Sequence, residues 1–265
     1  MDLATIGGFV IAILLAAIGA ILEHVQFGSL LGTSAFLIVV GASIGATIMS
    51  HSMEDLKMFG PATKRALIPP KLDYHGMIDY LVGLADKARR NGLLSLQEDT
   101  ESATNQLVKR GLTMAVDGSD PEVVAETLEA MAAMEKEEII HGAAVWDTAG
   151  GYAPTLGILG TVMGLITIMG NLSEPDTLGP MIAVAFLATL YGVGFANLIF
   201  LPLGAKIKAV VKQEEKFNQM VIEGIVGLQS GENPRNLREK LLIYAPHGSV
   251  KKAKAGAAQA TQEGA

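Results

Sequence analysis

The chain has 265 residues and a net charge of −7; half of its residues are apolar and only 18% are charged. Soluble domains are about one-quarter charged, so the composition argues against a purely soluble protein. The absence of cysteine excludes a disulfide framework, thiolate chemistry and cysteine-ligated zinc or iron–sulfur centres, and the acidic balance argues against a nucleic-acid binder.

The first predicted element is residues 3–22, a stretch without Asp, Glu, Lys or Arg. Three more such stretches follow, at 30–49, 150–172 and 177–205. Each is close to or above the roughly 20 residues with which a helix crosses about 30 Å of hydrocarbon. A soluble core built from this length of chain could not enclose all four. The first stretch lacks the basic n-region of a signal peptide, and the second begins within eight residues of its end, so it reads as a retained span.

Between the second and third stretches the sequence reads as helical. Pro69 and Pro70 mark a connector over 67–74. Residues 77–90 place Ile78, Leu81, Val82, Leu84 and Ala85 at helical spacing, and Asn91–Gly92 suits a left-handed stop. Ser95 and Glu98 form a Ser-x-x-Glu capping box that predicts one helix running to about Val116. Asp117–Gly118 ends it. Ser119, Asp120 and Pro121 open the next helix, with Glu122 in its first turn, and that helix runs past Glu138 toward the third span. After the fourth stretch, 206–228 reads as a long amphipathic helix stopped by Gly231. Asn233–Pro234 opens a last short helix, and 251–265 is low-complexity and expected to be disordered. Nothing alternates like a strand. The expected fold is all-α: a polytopic membrane protein with spans in 1–49 and 150–205, a helical cytoplasmic domain over 50–149, and a cytoplasmic helix and tail over 206–265.

Basic residues set the orientation. Ten Lys plus Arg lie between residues 50 and 149 and ten from Lys206 onward, which accounts for all 20. The short connectors 23–29 and 173–176 have none. This bias places both termini and residues 50–149 in the cytoplasm, as in a multi-pass membrane protein. Trp146 and Tyr152 flank the start of the third span, where amphipathic rings favour the interface.

Catalytic signals are weak. The five histidines show no metal-ligand spacing, and no nucleophile elbow or phosphate loop appears, so an enzyme is not expected and no cofactor is called for. The spans carry more information. Pro154, Gly157, Gly160, Thr161 and Gly164 fall near one face of the third. Ala185, Ala188, Thr189, Gly192 and Ala196 do the same in the fourth. Small residues let membrane helices approach closely, and for most of these positions packing is sufficient explanation. Thr161 and Thr189 on the two faces also suit a narrow, mildly polar passage. A proton or sodium pathway usually needs an ionisable group, and these spans contain none. If the chain takes part in conduction, a partner must supply the carboxylate.

Several motifs together resemble the MotA/PomA stator subunits of the MotA/TolQ/ExbB group. They are the opening Met1-Asp2-Leu3-Ala4-Thr5 with Gly7-Gly8, the run from Ala88 through Arg89, Arg90, Asn91 and Gly92 to Leu96, the stretch from Pro154 to Leu165, Thr189-Leu190-Tyr191-Gly192 followed by Pro202, and Gly231-Glu232-Asn233-Pro234-Arg235. The resemblance covers nearly the whole chain. It implies a homopentamer in the membrane lipid around two helices of a MotB-type partner, whose membrane Asp carries the ion. Ion flow would drive rotation against the rotor switch protein of the flagellar C-ring, serving motility and chemotaxis.

By the same resemblance, Pro154, Pro202, Thr161, Thr189, Ala188 and Tyr191 belong to the ion path, and Arg89, Arg90 and Glu98 to the rotor contact. Two positions depart from the family pattern. Gln97 stands where a glutamate is usual, leaving Glu98 as either a substitute acidic contact or only a capping-box acid. Ala188 stands where sodium-type relatives tend to carry threonine, and one oxygen fewer favours H+ over Na+, since hard cations want several oxygen ligands. The alternatives are a sodium-driven PomA-type stator, a TolQ/ExbB-type energiser of an outer-membrane system, against which the paired first spans count, and a non-conducting scaffold.

Overall fold

The computed structural model describes residues 3–246, and the expected disorder of 251–265 lies outside them. The described residues are helical or in connectors, with no strand among them. Four helical stretches are long and apolar enough to cross a membrane. The chain divides into two compact units: one takes the chain up to Pro70 together with Glu137–Val211, the other Lys71–Lys136 and the chain from Lys212 on.

The first unit begins with α1, Leu3–Leu22, in which no residue from 5 to 22 is buried. A 3-10 turn at Phe27–Leu30 leads into α2, Thr33–Phe36, a π turn at Leu37–Gly41, and α3, Ala42–Ser50. Ser43 and Thr47 are buried here, and each donates its hydroxyl to the carbonyl four residues back, Val39 O at 2.5 Å and Ser43 O at 2.7 Å, which satisfies both without a partner from elsewhere. Helix α4, Met53–Leu67, was not anticipated. Its start signal is a capping box: Ser52 accepts from the Asp55 N–H, and Asp55 accepts from the Ser52 N–H. Ala62 and Ala66 of α4 pack with Ile139, Ala143, Ile207 and Val211.

The second unit is built on α5, Tyr74–Asn91, ended by Gly92 at φ +80°, a left-handed conformation glycine adopts without a Cβ penalty. The single helix expected from Ser95 to Val116 is instead three pieces: a 3-10 turn at Leu93–Leu96, α6 at Gln97–Ser102 and α7 at Gln106–Val116. The predicted capping box is absent. Ser95 donates to Gly92 O at 2.7 Å, and α6 follows Leu96, which makes no side-chain cap. The chain breaks before Asn105, whose side chain accepts from the Val108 N–H at 3.1 Å and so nucleates a fresh start that competes with continuing the helix. Ile78, Leu81, Leu112, Met220, Ile225 and Leu237 form the core of this unit, none more than 1% exposed.

Helix α8, Pro121–Gly170, is one uninterrupted helix of 50 residues, so the element opened by Pro121 continues through the third span as expected. Helix α9, Pro175–Phe195, passes through a π turn at Ala196–Phe200 into α10, Leu201–Gln229. Helix α10 stops as predicted before Gly231, at φ +72°, and α11, Pro234–Leu242, follows with Asn233 as its cap.

Candidate functional site

Helices α8 and α9 meet along the small-residue faces seen in the sequence. A Cβ on Gly157 would lie 2.9 Å from Ala188 O, one on Gly160 2.7 Å from Ala188 Cβ, one on Gly164 2.6 Å from Ala185 Cβ, and one on Gly192 2.5 Å from Ala153 O. No side chain larger than hydrogen fits these four positions without a shift, so the two backbones are in contact.

This contact brings Thr161 and Thr189 together. Their hydroxyl oxygens are 2.5 Å apart. Thr161 Oγ1 also lies 3.1 Å from Gly157 O on its own helix and 3.2 Å from Ala185 O on α9. Each hydroxyl has one proton and two acceptor lone pairs. One proton is spent between the two hydroxyls and the other goes to a backbone carbonyl. What the pair has left to offer is lone pairs, so it can accept from a protonated acid or face a small cation, but it has no proton in reserve.

The other predicted residues sit around this pair at different distances. Ala188 is 2% exposed and packs on Gly160. Pro154 is half-buried on the Thr161 face of α8, about 10 Å along the helix, and its missing N–H leaves the Gly150 carbonyl without its helical donor. Pro202 is exposed and follows the π turn at Ala196–Phe200, a widening that accommodates the bond a proline cannot make. Tyr191 points elsewhere. Its hydroxyl donates to Leu30 O at 2.5 Å and accepts from the Gly32 N–H at 3.0 Å, and its ring meets Phe36 and Phe195 edge-on. It therefore ties the start of the second span to α9.

Arg89, Arg90 and Glu98 lie in the second unit, all exposed. Arg90 pairs with Asp86 at 2.8 Å, while Arg89 has no ion pair among the described residues. Beside Glu98, Lys87 binds Asp99 at 2.7 Å, and that carboxylate raises the Lys87 pKa. With no capping box at Ser95, the capping-acid reading of Glu98 is removed.

A second polar cluster went unpredicted. His141 Nδ1 lies 2.7 Å from Asp55 Oδ1, and His51 bridges toward Thr148 and Asp55. The hydrogen bond from His141 and the cap at Ser52 hold the Asp55 carboxyl down at about 2, and Asp55 raises the His141 pKa. The sequence signal was the Ser52-x-x-Asp55 spacing, with His51 four residues before Asp55; that the distant His141 joins them is set by how α4 packs on α8.

The comparisons with known proteins agree with this architecture. Residues 99–220 match the model of the MotA/TolQ/ExbB proton channel family, and residues 6–92 match the motility protein A N-terminal model. Motility protein A of Helicobacter pylori is 38% identical over 253 residues, covering 95% of this chain and 98% of its own. The solved structure of C. jejuni MotAB superposes with a TM-score of 0.89 at 32% identity, covering 93% of this chain and 97% of that one. The flagellar MotAB stator complex from Bacillus subtilis gives a TM-score of 0.87 at 32% identity, covering 95% and 99%. Similarity of this extent, over both halves of the sequence and nearly the full length of each relative, is that of a homologue, and the chain belongs to the MotA/TolQ/ExbB proton channel family as a relative of the motility proteins A.

Proposed function

We propose that the chain is the MotA-type subunit of a flagellar stator and acts as a conducting scaffold, with no catalytic chemistry of its own. The observation that carries this is the Thr161–Thr189 pair in spans that offer no carboxylate. An ion crossing such a core unaided faces a large desolvation cost. A MotB-type partner with a membrane Asp supplies the missing group, and the lone pairs of the two hydroxyls receive its protonated form. The four spans and the likeness to whole motility proteins A support this over a TolQ/ExbB-type energiser.

In this reading five copies surround two partner helices in the bacterial inner membrane, with both termini in the cytoplasm. The buried Ala188 beside the pair supports H+ rather than Na+ as the coupling ion. Pro154 and Pro202 give the spans points of altered backbone bonding. Arg89, Arg90 and Glu98 face the rotor switch protein. The test is a deletion strain complemented with this chain, with swimming measured against sodium concentration and a proton uncoupler. Restored swimming that collapses with the uncoupler and ignores sodium is expected. No loss of swimming on deletion would overturn the stator reading, and speed that follows sodium would overturn the proton assignment.

A further inference from the structure

A line of polar side chains runs along α8 on the N-terminal side of the Thr161 site, paired with the last residue of α3 and the segment that follows it. Ser50 Oγ and Tyr152 Oη are 2.9 Å apart. One turn further, His51 Nε2 meets Thr148 Oγ1 at 2.9 Å. His51 Nδ1 then lies 3.6 Å from Asp55 Oδ2, Asp55 Oδ1 lies 2.7 Å from His141 Nδ1, and His141 Nε2 lies 3.8 Å from Glu137 Oε1. From Tyr152 to His141 this covers about 16 Å of helix. Side-chain exposure rises in step: 11% at His51, 18% at Asp55, 51% at His141 and 75% at Glu137. From His51 onward the order therefore runs outward to the surface, alternating imidazole and carboxylate, while at the other end of the line Tyr152 is half-buried and Ser50 exposed.

We infer that His51, Asp55 and His141 form a proton relay that carries protons between the membrane path and the cytoplasm. The inference rests on the proton-conducting reading above. Thr148 is 13 residues from Thr161 on one helix, about 20 Å, and so lies near the end of the span. The steps conserve protons. A proton arriving at Nε2 of a neutral His51 that carries its proton on Nδ1 gives an imidazolium. The Nδ1 proton passes to Asp55 Oδ2, a gap that a small rotation of the ring closes to hydrogen-bond length. The Asp55 carboxyl then turns so that this proton faces His141 and returns to carboxylate by giving it to Nδ1 of a His141 that carries its own proton on Nε2, and His141 releases that Nε2 proton to water or Glu137. One proton enters and one leaves, and the rings reset by exchanging tautomers. The charged groups facing this line are Glu137 on α8 and the Ser52-capped Asp55 on α4. On α10, Lys208 is engaged with Asp147, and Lys206 is the other cation nearby in sequence.

The experiment uses the complex of this chain with its MotB-type partner in sealed vesicles, reading proton and sodium flux with separate dyes. His51→Ala and His141→Ala are compared with wild type, each with and without added imidazole. His141 is half-exposed, so its truncation leaves the fold intact even if the His51 variant assembles poorly. A relay predicts proton flux lowered about tenfold or more, the low end of what a positioned acid–base group contributes, and restored toward wild type by imidazole. Unchanged flux in His141→Ala overturns the relay and leaves proton conduction standing. Reduced flux that imidazole fails to restore assigns these residues a structural role and also overturns it. Wild-type flux carried by sodium alone overturns the relay and the proton reading together.

Discussion

The hydroxyl oxygens of Thr161 and Thr189 are 2.5 Å apart because glycine at 157 and 192 lets α8 and α9 touch through their backbones. Removing either hydroxyl takes away a hydrogen bond worth about 1 kcal/mol net, together with lone pairs assigned above to the proposed ion path. Thr161→Ala and Thr189→Ala are expected to slow swimming and lower ion flux with the complex still assembled. The serine variants keep the hydroxyl and are expected to fall between alanine and wild type. Flux through the double alanine variant at the wild-type rate would remove the pair from conduction.

Ala188→Thr adds an oxygen beside the Thr161–Thr189 pair, but the structure leaves little room for it. Ala188 is buried against Gly160, which itself has no space for a methyl group. Overpacking of this kind costs about 1–3 kcal/mol. The expected result is a less heat-stable complex with no new sodium dependence, read from melting of the purified complex and from swimming speed against sodium.

Tyr191→Phe deletes the hydroxyl shared by Leu30 O and the Gly32 N–H. Two backbone groups at the edge of the apolar region lose their partner, which costs about 1–3 kcal/mol. Faster amide hydrogen exchange at Gly32 and through α2 is expected, with the Thr161–Thr189 pair undisturbed. Unaltered exchange at Gly32 would show that the phenol is not what holds this segment.

The Asp55–His141 pair has a defined pH window. The Asp55 carboxyl, lowered from 3.8 to about 2, contributes fully above pH 3.8, and its contribution is lost as pH falls toward 2. The raised His141 pKa contributes fully below pH 6.5 and is lost as pH rises through that higher value. The pair is therefore strongest between about pH 4 and 6.5. Asp55→Asn is expected to bring the His141 titration, followed by NMR of labelled imidazole, back toward 6.5. An unmoved titration would mean Asp55 is not its cause.

Charge reversal of Arg89 and Arg90 together is expected to abolish torque without disturbing assembly. Of the two, only Arg90 has an ion-pair partner among the described residues, Asp86, and an exposed pair of this kind is worth at most about 1 kcal/mol. Bead rotation of tethered cells carrying the double variant, with its membrane level measured in parallel, tests this. Normal torque would separate these arginines from the proposed rotor contact.

Much of this architecture was readable in advance because membrane spans and glycine stops are local signals. Runs without charge marked the four spans, and Gly92, Gly118 and Gly231, all at positive φ, marked helix ends. The error over 95–116 was a competition between local caps: Ser95 and Asn105 both carry capping chemistry, and only packing decides which start is used. The Thr161–Thr189 faces were legible as stripes, since a helical period is a sequence property, but the 2.5 Å contact is a product of how two helices meet. The assembly of His51, Asp55 and His141 was illegible for the same reason, since 86 residues separate Asp55 from His141. Tyr191 was grouped with the ion path through its motif, while its bonds go to the Leu30–Gly32 segment.

Helix α1 buries no side chain from residue 5 to 22, and it contacts the π turn at Ala196–Phe200. Its backbone needs nothing from the other helices, since a helix in hydrocarbon satisfies its own amides. The individual identities of Phe9, Leu14 or Ile18 are thus invisible to the folding of this subunit. A version of α1 rewritten in another apolar alphabet would insert and leave the Thr161 site as it is. Any defect it caused would report on what stands across from α1 once the complex is built, which makes this helix a probe of assembly that is decoupled from the chain's own stability.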